Sequence, residues 1–121
     1  MILVDTSVWI DHLRTADKTL THLLDSCQVL AHPFVIGEIA CGSFFPDRDE
    51  ILLTLRQLPA LRAVEESEAL YFIDKNKLMG LGISYVDVHL LAATALEPEA
   101  LLWTRDKRLK AAAAAMDLAV K

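Results

Sequence analysis

Asp5, Glu38, Asp87 and Asp106 come from four well-separated stretches of the chain, each bordered by apolar or helix-starting residues. Glu38 is the hardest to treat as decoration. Within a helix its i±3 and i±4 neighbours are Phe34, Val35, Cys41 and Gly42, an apolar and small-residue face. An ionised carboxylate is expensive to bury there unless it is paired or bound to a metal. Asp87 has its own isolation: in Ser84–Ala93 the only other ionisable groups are Tyr85 and His89. If the four acids converge they repel, by about 4 kcal/mol per pair at 4 Å and an effective dielectric of 20. A hard cation relieves that repulsion, and an all-oxygen donor set suits Mg²⁺ or Mn²⁺ rather than Zn²⁺. Such ions orient water and stabilise an in-line displacement at phosphorus, so the expected chemistry is metal-assisted phosphodiester hydrolysis.

Each acid also has a simpler account. Asp5 and Asp106 sit where a helix N-cap would fall, and taken singly capping is the simpler explanation for either. Asp87 completes a capping box with Ser84, and Glu38 could be a solvated residue on an exposed helix end. The histidines His12, His22, His32 and His89 have no metal-ligand spacing and suit helix-surface or core roles. The charge balance, 12 basic against 17 acidic residues for a net −5, excludes a simple basic nucleic-acid binder. Removing four site carboxylates from the −5 leaves −1. With a cation bound, the basic run Arg105, Lys107, Arg108 and Lys110 could follow a nucleic-acid backbone.

The elements that position these residues read as strands alternating with helices. Ile2-Leu3-Val4 is a short β-branched and apolar run, the pattern of a buried strand. Asp5-Thr6-Ser7 then opens a helix over about 8–14. A second helix is expected over 18–26, a strand over 27–31, and a helix over 34–43 with Pro33 at its first position. Asp47 and Glu50 form a possible capping box for a helix to about Leu58, ended by Pro59. A strand over 61–64, a helix over 65–79 closed by Gly80 or Gly82, a helix from Ser84 to about Leu96 and a strand over 100–103 follow. Thr104-Arg105-Asp106 starts the last helix, and 118–120 is a final strand candidate. This order predicts an α/β fold, a three-layer α/β/α sandwich around a short parallel sheet. In open parallel sheets ligands gather beyond the carboxyl ends of the strands, which is where Asp5 and Asp106 fall.

The 121 residues are enough for a single domain spanning 1–121, and 54% hydrophobic with 24% charged residues supports a packed core. Cys27 and Cys41 are too few and too far apart for a disulfide framework. An acid at position 5 interrupts any signal-peptide pattern, and no apolar stretch is long enough to span a bilayer. The expectation is a cytoplasmic protein with reduced thiols and no membrane partner.

Four segments taken together are similar to one family. Val4-Asp5-Thr6-Ser7-Val8-Trp9-Ile10, Gly37-Glu38-Ile39-Ala40-Cys41-Gly42, Ile83-Ser84-Tyr85-Val86-Asp87-Val88-His89-Leu90-Leu91-Ala92-Ala93 and Leu102-Trp103-Thr104-Arg105-Asp106 resemble, in order, PIN-domain ribonucleases, in particular the VapC toxin branch of bacterial toxin–antitoxin pairs. The resemblance covers nearly the whole chain. It implies Mg²⁺- or Mn²⁺-dependent cleavage of RNA, with Asp5, Glu38, Asp87 and Asp106 as the catalytic and metal-binding acids. It also implies that Thr6, Ser7 and Thr104 line or brace the pocket, and that the chain forms a homodimer silenced by a cognate antitoxin protein. Arg105 and Lys107 stand beside the pocket as substrate-side candidates. Some relatives carry a further acid where this chain has Arg108, so the last acid duty falls on Asp106 alone.

Two other classes compete with the nuclease reading. An aspartate-based phosphoryl-transfer protein also places an acid after its first strand. A phosphatase of that kind wants a second aspartate where Ser7 stands, and a receiver wants adjacent acids near the first strand's end. A non-catalytic partner-binding domain would use the acids only as caps and expose Trp9, Phe44, Phe45 or Tyr71 as its contact surface.

Overall fold

A computed structural model describes residues 1–42 and 46–121. Its centre is β1 (Ile2–Val4), flanked by β2 (Val29–Leu30) and β3 (Leu101–Trp103) in the order β2-β1-β3. Both pairings are parallel, with Ile2 opposite Val29 on one side and Leu101 on the other. Leu3 and Val4 are both fully buried. Successive strand side chains point to opposite faces, so helices cover both faces of the sheet, as the α/β sandwich expectation requires.

Helix α1 (Thr6–Arg14) packs on α3 (Pro33–Ala40), and α3 on α4 (Arg48–Arg56). On the other side α5 (Glu66–Asn76) packs on α6 (Tyr85–Leu96), which lies against β3. α2 (Lys18–Asp25) links α1 to β2, and α7 (Lys107–Ala115) follows β3. α6 is almost wholly apolar, with Val88 through Thr94 buried. No helix among the described residues is long and apolar enough to cross a membrane. Cys27 and Cys41 are free and exposed.

Several expected elements are shorter than the sequence pattern suggests. The 61–64 strand does not form: Ala60 makes one parallel bridge to Ala31, the Leu61 amide donates to the Ala31 carbonyl at 2.8 Å, and the chain then leaves the edge. β2 ends at Leu30 because His32 already caps α3, leaving little edge to pair with. The 118–120 segment is likewise reduced to a bridge between Leu102 and Ala119. The Asp47–Glu50 box is absent. Asp47 has φ −100° and ψ 34°, away from the extended conformation that aims a capping side chain at the helix amides, and it makes no cap bond. α5 is closed by Lys77 in the left-handed region, ahead of Gly80 and Gly82. Ser43, at the expected end of α3, and Phe44 and Phe45 lie outside the described residues. Of the other aromatics, Trp9 is in the core and Tyr71 is exposed.

Candidate active site

Asp5 continues the β1–β3 ladder, its amide donating to the Trp103 carbonyl at 2.9 Å, and occupies the N-cap position of α1. Its carboxylate makes no cap bond. Oδ2 instead accepts from Ser7 Oγ at 2.7 Å and from Thr104 Oγ1 at 2.8 Å. Asp5 is 7% exposed and Thr104 5%. The two hydroxyls spend their protons on Asp5 and use their oxygens as acceptors: Arg105 N–H donates to Ser7 Oγ at 3.0 Å, and Asp106 N–H to Thr104 Oγ1 at 3.1 Å. A nearly buried carboxylate is thereby fixed by charge-assisted bonds, and its orientation is tied to the turn leaving β3. The capping account of Asp5 is overturned, because its carboxylate is held by Ser7 and Thr104 instead.

Glu38 lies on the exposed side of α3, where Oε1 accepts from Thr6 Oγ1 at 2.7 Å across 32 residues of sequence. That bond holds the glutamate against Thr6, the first residue of α1, which follows Asp5 in the chain. Asp87 is the third residue of α6 and closes the capping box: the Ser84 amide donates to its Oδ2 at 3.0 Å, and its own amide donates to Ser84 Oγ at 3.1 Å. Partial burial pushes the Asp87 carboxyl above its usual range, and the charges of Asp5 and Asp106 push the same way against the Ser84 amide. Asp87 therefore lies within electrostatic reach of both Asp5 and Asp106. Asp106 caps α7, with Oδ1 accepting from the amides of Arg108 at 2.9 Å and Leu109 at 3.0 Å.

Three of the acids share one regularity. Asp5 uses only Oδ2, Glu38 only Oε1 and Asp106 only Oδ1 in hydrogen bonds among the described residues. Asp87 differs, since its carboxylate meets both the amide and the hydroxyl of Ser84. Four hard oxygen donors suit Mg²⁺ or Mn²⁺. Among the described residues no three of the Asp, Glu, His and Cys side chains are close enough to make a ready-formed cation cage. Like charges repel, and each carboxylate follows its own local donor.

The basic residues near Asp106 differ in what they meet. The Arg105 guanidinium is taken up by two carboxylates, NH1 donating to Asp11 Oδ2 and NH2 to Asp17 Oδ2 at 2.7 Å, so it is not an open phosphate contact. Asp11 and Asp17 stand 94 and 88 residues away from Arg105, and the sequence carried no signal of the pairing. Lys107 is exposed at the first position of α7. Arg108 lies over Gly82, whose φ of +76° and missing side chain leave the guanidinium its room. Three histidines have helix and core roles: His12 Nδ1 accepts from the Asp17 amide, His32 Nδ1 caps α3 through the Phe34 amide, and His89 is buried in α6.

A PIN domain family model matches residues 2–115, and the chain belongs to the PIN-domain family. Over 120 residues it is 48% identical to Ribonuclease VapC32 of Mycobacterium tuberculosis strain CDC 1551 / Oshkosh, an alignment covering 99% of this chain and 96% of that protein. The protein of the same name from strain ATCC 25618 / H37Rv matches with the same figures. The likeness drawn from the four motifs is borne out as family membership.

Proposed function

We propose that this protein is a metal-dependent endoribonuclease acting as the toxin of a toxin–antitoxin pair, as the ribonuclease name of its relatives suggests. One observation carries the site: Asp5 and Asp106 leave the carboxyl ends of β1 and β3, their charges reach Asp87, and Glu38 is bonded to Thr6 beside Asp5 in the chain. Asp5, Glu38, Asp87 and Asp106 would hold Mg²⁺ or Mn²⁺ with their carboxylate oxygens. The bound cation supplies activation of water and neutralisation of charge at the scissile phosphate.

The chain's own residues do the rest. Ser7 and Thr104 orient Asp5, Thr6 orients Glu38, and the box with Ser84 orients Asp87. Asp87 must give up its proton before it can ligate, so its raised affinity for protons couples site loading to pH. Lys107, Arg108 and Lys110 are exposed and would meet an RNA backbone near Asp106. A homodimer, a cognate antitoxin protein and a cytoplasmic location belong to the same reading. The test is cleavage of bulk bacterial RNA with Mg²⁺, with Mg²⁺ and excess EDTA, and by Asp5→Asn. Cleavage in the first arm alone is expected. Cleavage that survives chelation or the substitution refutes the mechanism.

A further inference from the structure

We propose that Arg105 is a positioning residue, clamping the turn that leaves β3 onto α1 so that Thr104 and Asp106 are held in register with Asp5. It is not a contact for the substrate backbone. This deepens the reading of the acid edge as the active site and rests on it.

The clamp has three points. The Arg105 amide donates to Ser7 Oγ at 3.0 Å, while the guanidinium reaches Asp11 and, at 2.7 Å, Asp17. Ser7 and Asp11 are four residues apart in α1 and share one helix face. A single residue of the turn is therefore gripped by that face through both its backbone and its side chain. Asp17 supplies the third point from the α1–α2 connection and is itself fixed. Its Oδ1 accepts from the Leu20 amide at 2.9 Å, and its own amide donates to His12 Nδ1 at 2.9 Å. The Leu20 amide, with the Arg105 charge beside it, holds the Asp17 carboxyl below its usual range against the opposing effect of partial burial. On either side of Arg105, Thr104 donates to Asp5, and Asp106 contributes a site carboxylate.

The chemistry favours a geometric role. The rigid guanidinium fork holds two carboxylates in fixed directions, whereas a lysine ammonium is a rotatable point charge that fixes neither. The side chains of Arg105, Asp11 and Asp17 are 38%, 48% and 23% exposed. Ion pairs at that exposure add little to stability, so what they fix is direction. A phosphate approaching Arg105 would have to displace two carboxylates and would meet their net negative charge.

The test compares wild type, Arg105→Ala, Arg105→Lys and the double variant Asp11→Asn/Asp17→Asn. The substrate is a short fluorescent RNA containing a site that the wild type cuts in bulk RNA. Asparagine at 17 keeps the α2 cap acceptor, so the double variant removes charge and spares the fold. We expect kcat to fall about 10- to 100-fold in Arg105→Ala, the scale for losing a partner that orients a ligand. KM should stay within about twofold of wild type on the same principle that only orientation is lost. Arg105→Lys should fall between the two, and the double variant should match Arg105→Ala. An RNA contact gives the opposite pattern. Arg105→Ala would raise KM and flatten the salt dependence of binding by about one unit of slope, and the double variant would free the guanidinium and lower KM.

Amide exchange at position 105 in the metal-free protein supplies a readout independent of catalysis. Faster exchange in the double variant is expected, and unchanged protection overturns the clamp. A wild type that cuts no RNA in Mg²⁺ refutes the nuclease reading, and the exchange result then decides the clamp alone.

Discussion

His32 is fully buried at the start of α3, and its acid titration gives a sharp test of how that helix is anchored. Its Nδ1 accepts from the Phe34 amide at 3.0 Å, so the proton of the neutral ring sits on Nε2, which has no partner among the described residues. Burial, with a smaller push from His89, takes its pKa from the ordinary 6.5 down to about 4. The unfolded chain therefore binds a proton that the folded chain refuses between those two values. Stability from this group is complete above pH 6.5 and drains as pH falls toward 4. At about 1.36 kcal/mol per unit the full loss is about 3 kcal/mol, of which about 2 kcal/mol falls between pH 7 and pH 5. His32→Asn keeps an acceptor for the Phe34 amide and removes the titration. Urea unfolding of both proteins at pH 7 and pH 5 isolates the effect, because Asp17, His89 and every other titrating group remain in each. The wild type should lose about 2 kcal/mol more than the variant. Parallel losses, within about 0.5 kcal/mol, would refute a buried neutral His32 as the source.

Three further outcomes are expected. Thr104→Val removes a donor to a nearly buried carboxylate and should cost about 1.5–3 kcal/mol in urea unfolding, with RNA cleavage down about 10- to 100-fold; a change below about 0.5 kcal/mol contradicts the assigned bond. Asp87 has a raised folded-state pKa, so as a carboxylate it destabilises the metal-free protein, an effect absent when it is protonated and felt as pH rises through that pKa. Asp87→Asn should therefore raise the metal-free melting temperature at pH 7 while abolishing cleavage, and NMR titration should show the Asp87 pKa falling in Asp5→Asn. Gly82→Ala puts a methyl 2.6 Å from Arg108 NH1 and 2.9 Å from its Cδ at a φ of +76°, and should cost about 1–2 kcal/mol by the same unfolding assay.

Legibility in the sequence followed the range of the interactions. The Ser84–Asp87 box and the helix it opens depend on residues three apart, and they form as the sequence suggests. The same spacing at Asp47–Glu50 fails because a pattern of residue types does not set Asp47's backbone angles. Ile2-Leu3-Val4 is recognisable as a buried strand, whereas 61–64 has the composition of a strand without a neighbouring edge long enough to pair with. The capping account of Asp5 fails for a tertiary reason, since Thr104 arrives from 99 residues away and takes the carboxylate. Arg105 reads as a free cation in sequence because Asp11 and Asp17 are as distant. His32 as the α3 cap is signalled only by Pro33 after it, an ordinary first helical residue.

The bond from Thr104 to Asp5 and the pairing of β1 with β3 join the two ends of the described fold. A growing chain that stops short of residue 101 carries three of the four acids but neither β3 to lie against β1 nor the hydroxyl that aims Asp5. The direction of the Asp5 carboxylate is therefore decided by a hydroxyl 99 residues further along the chain.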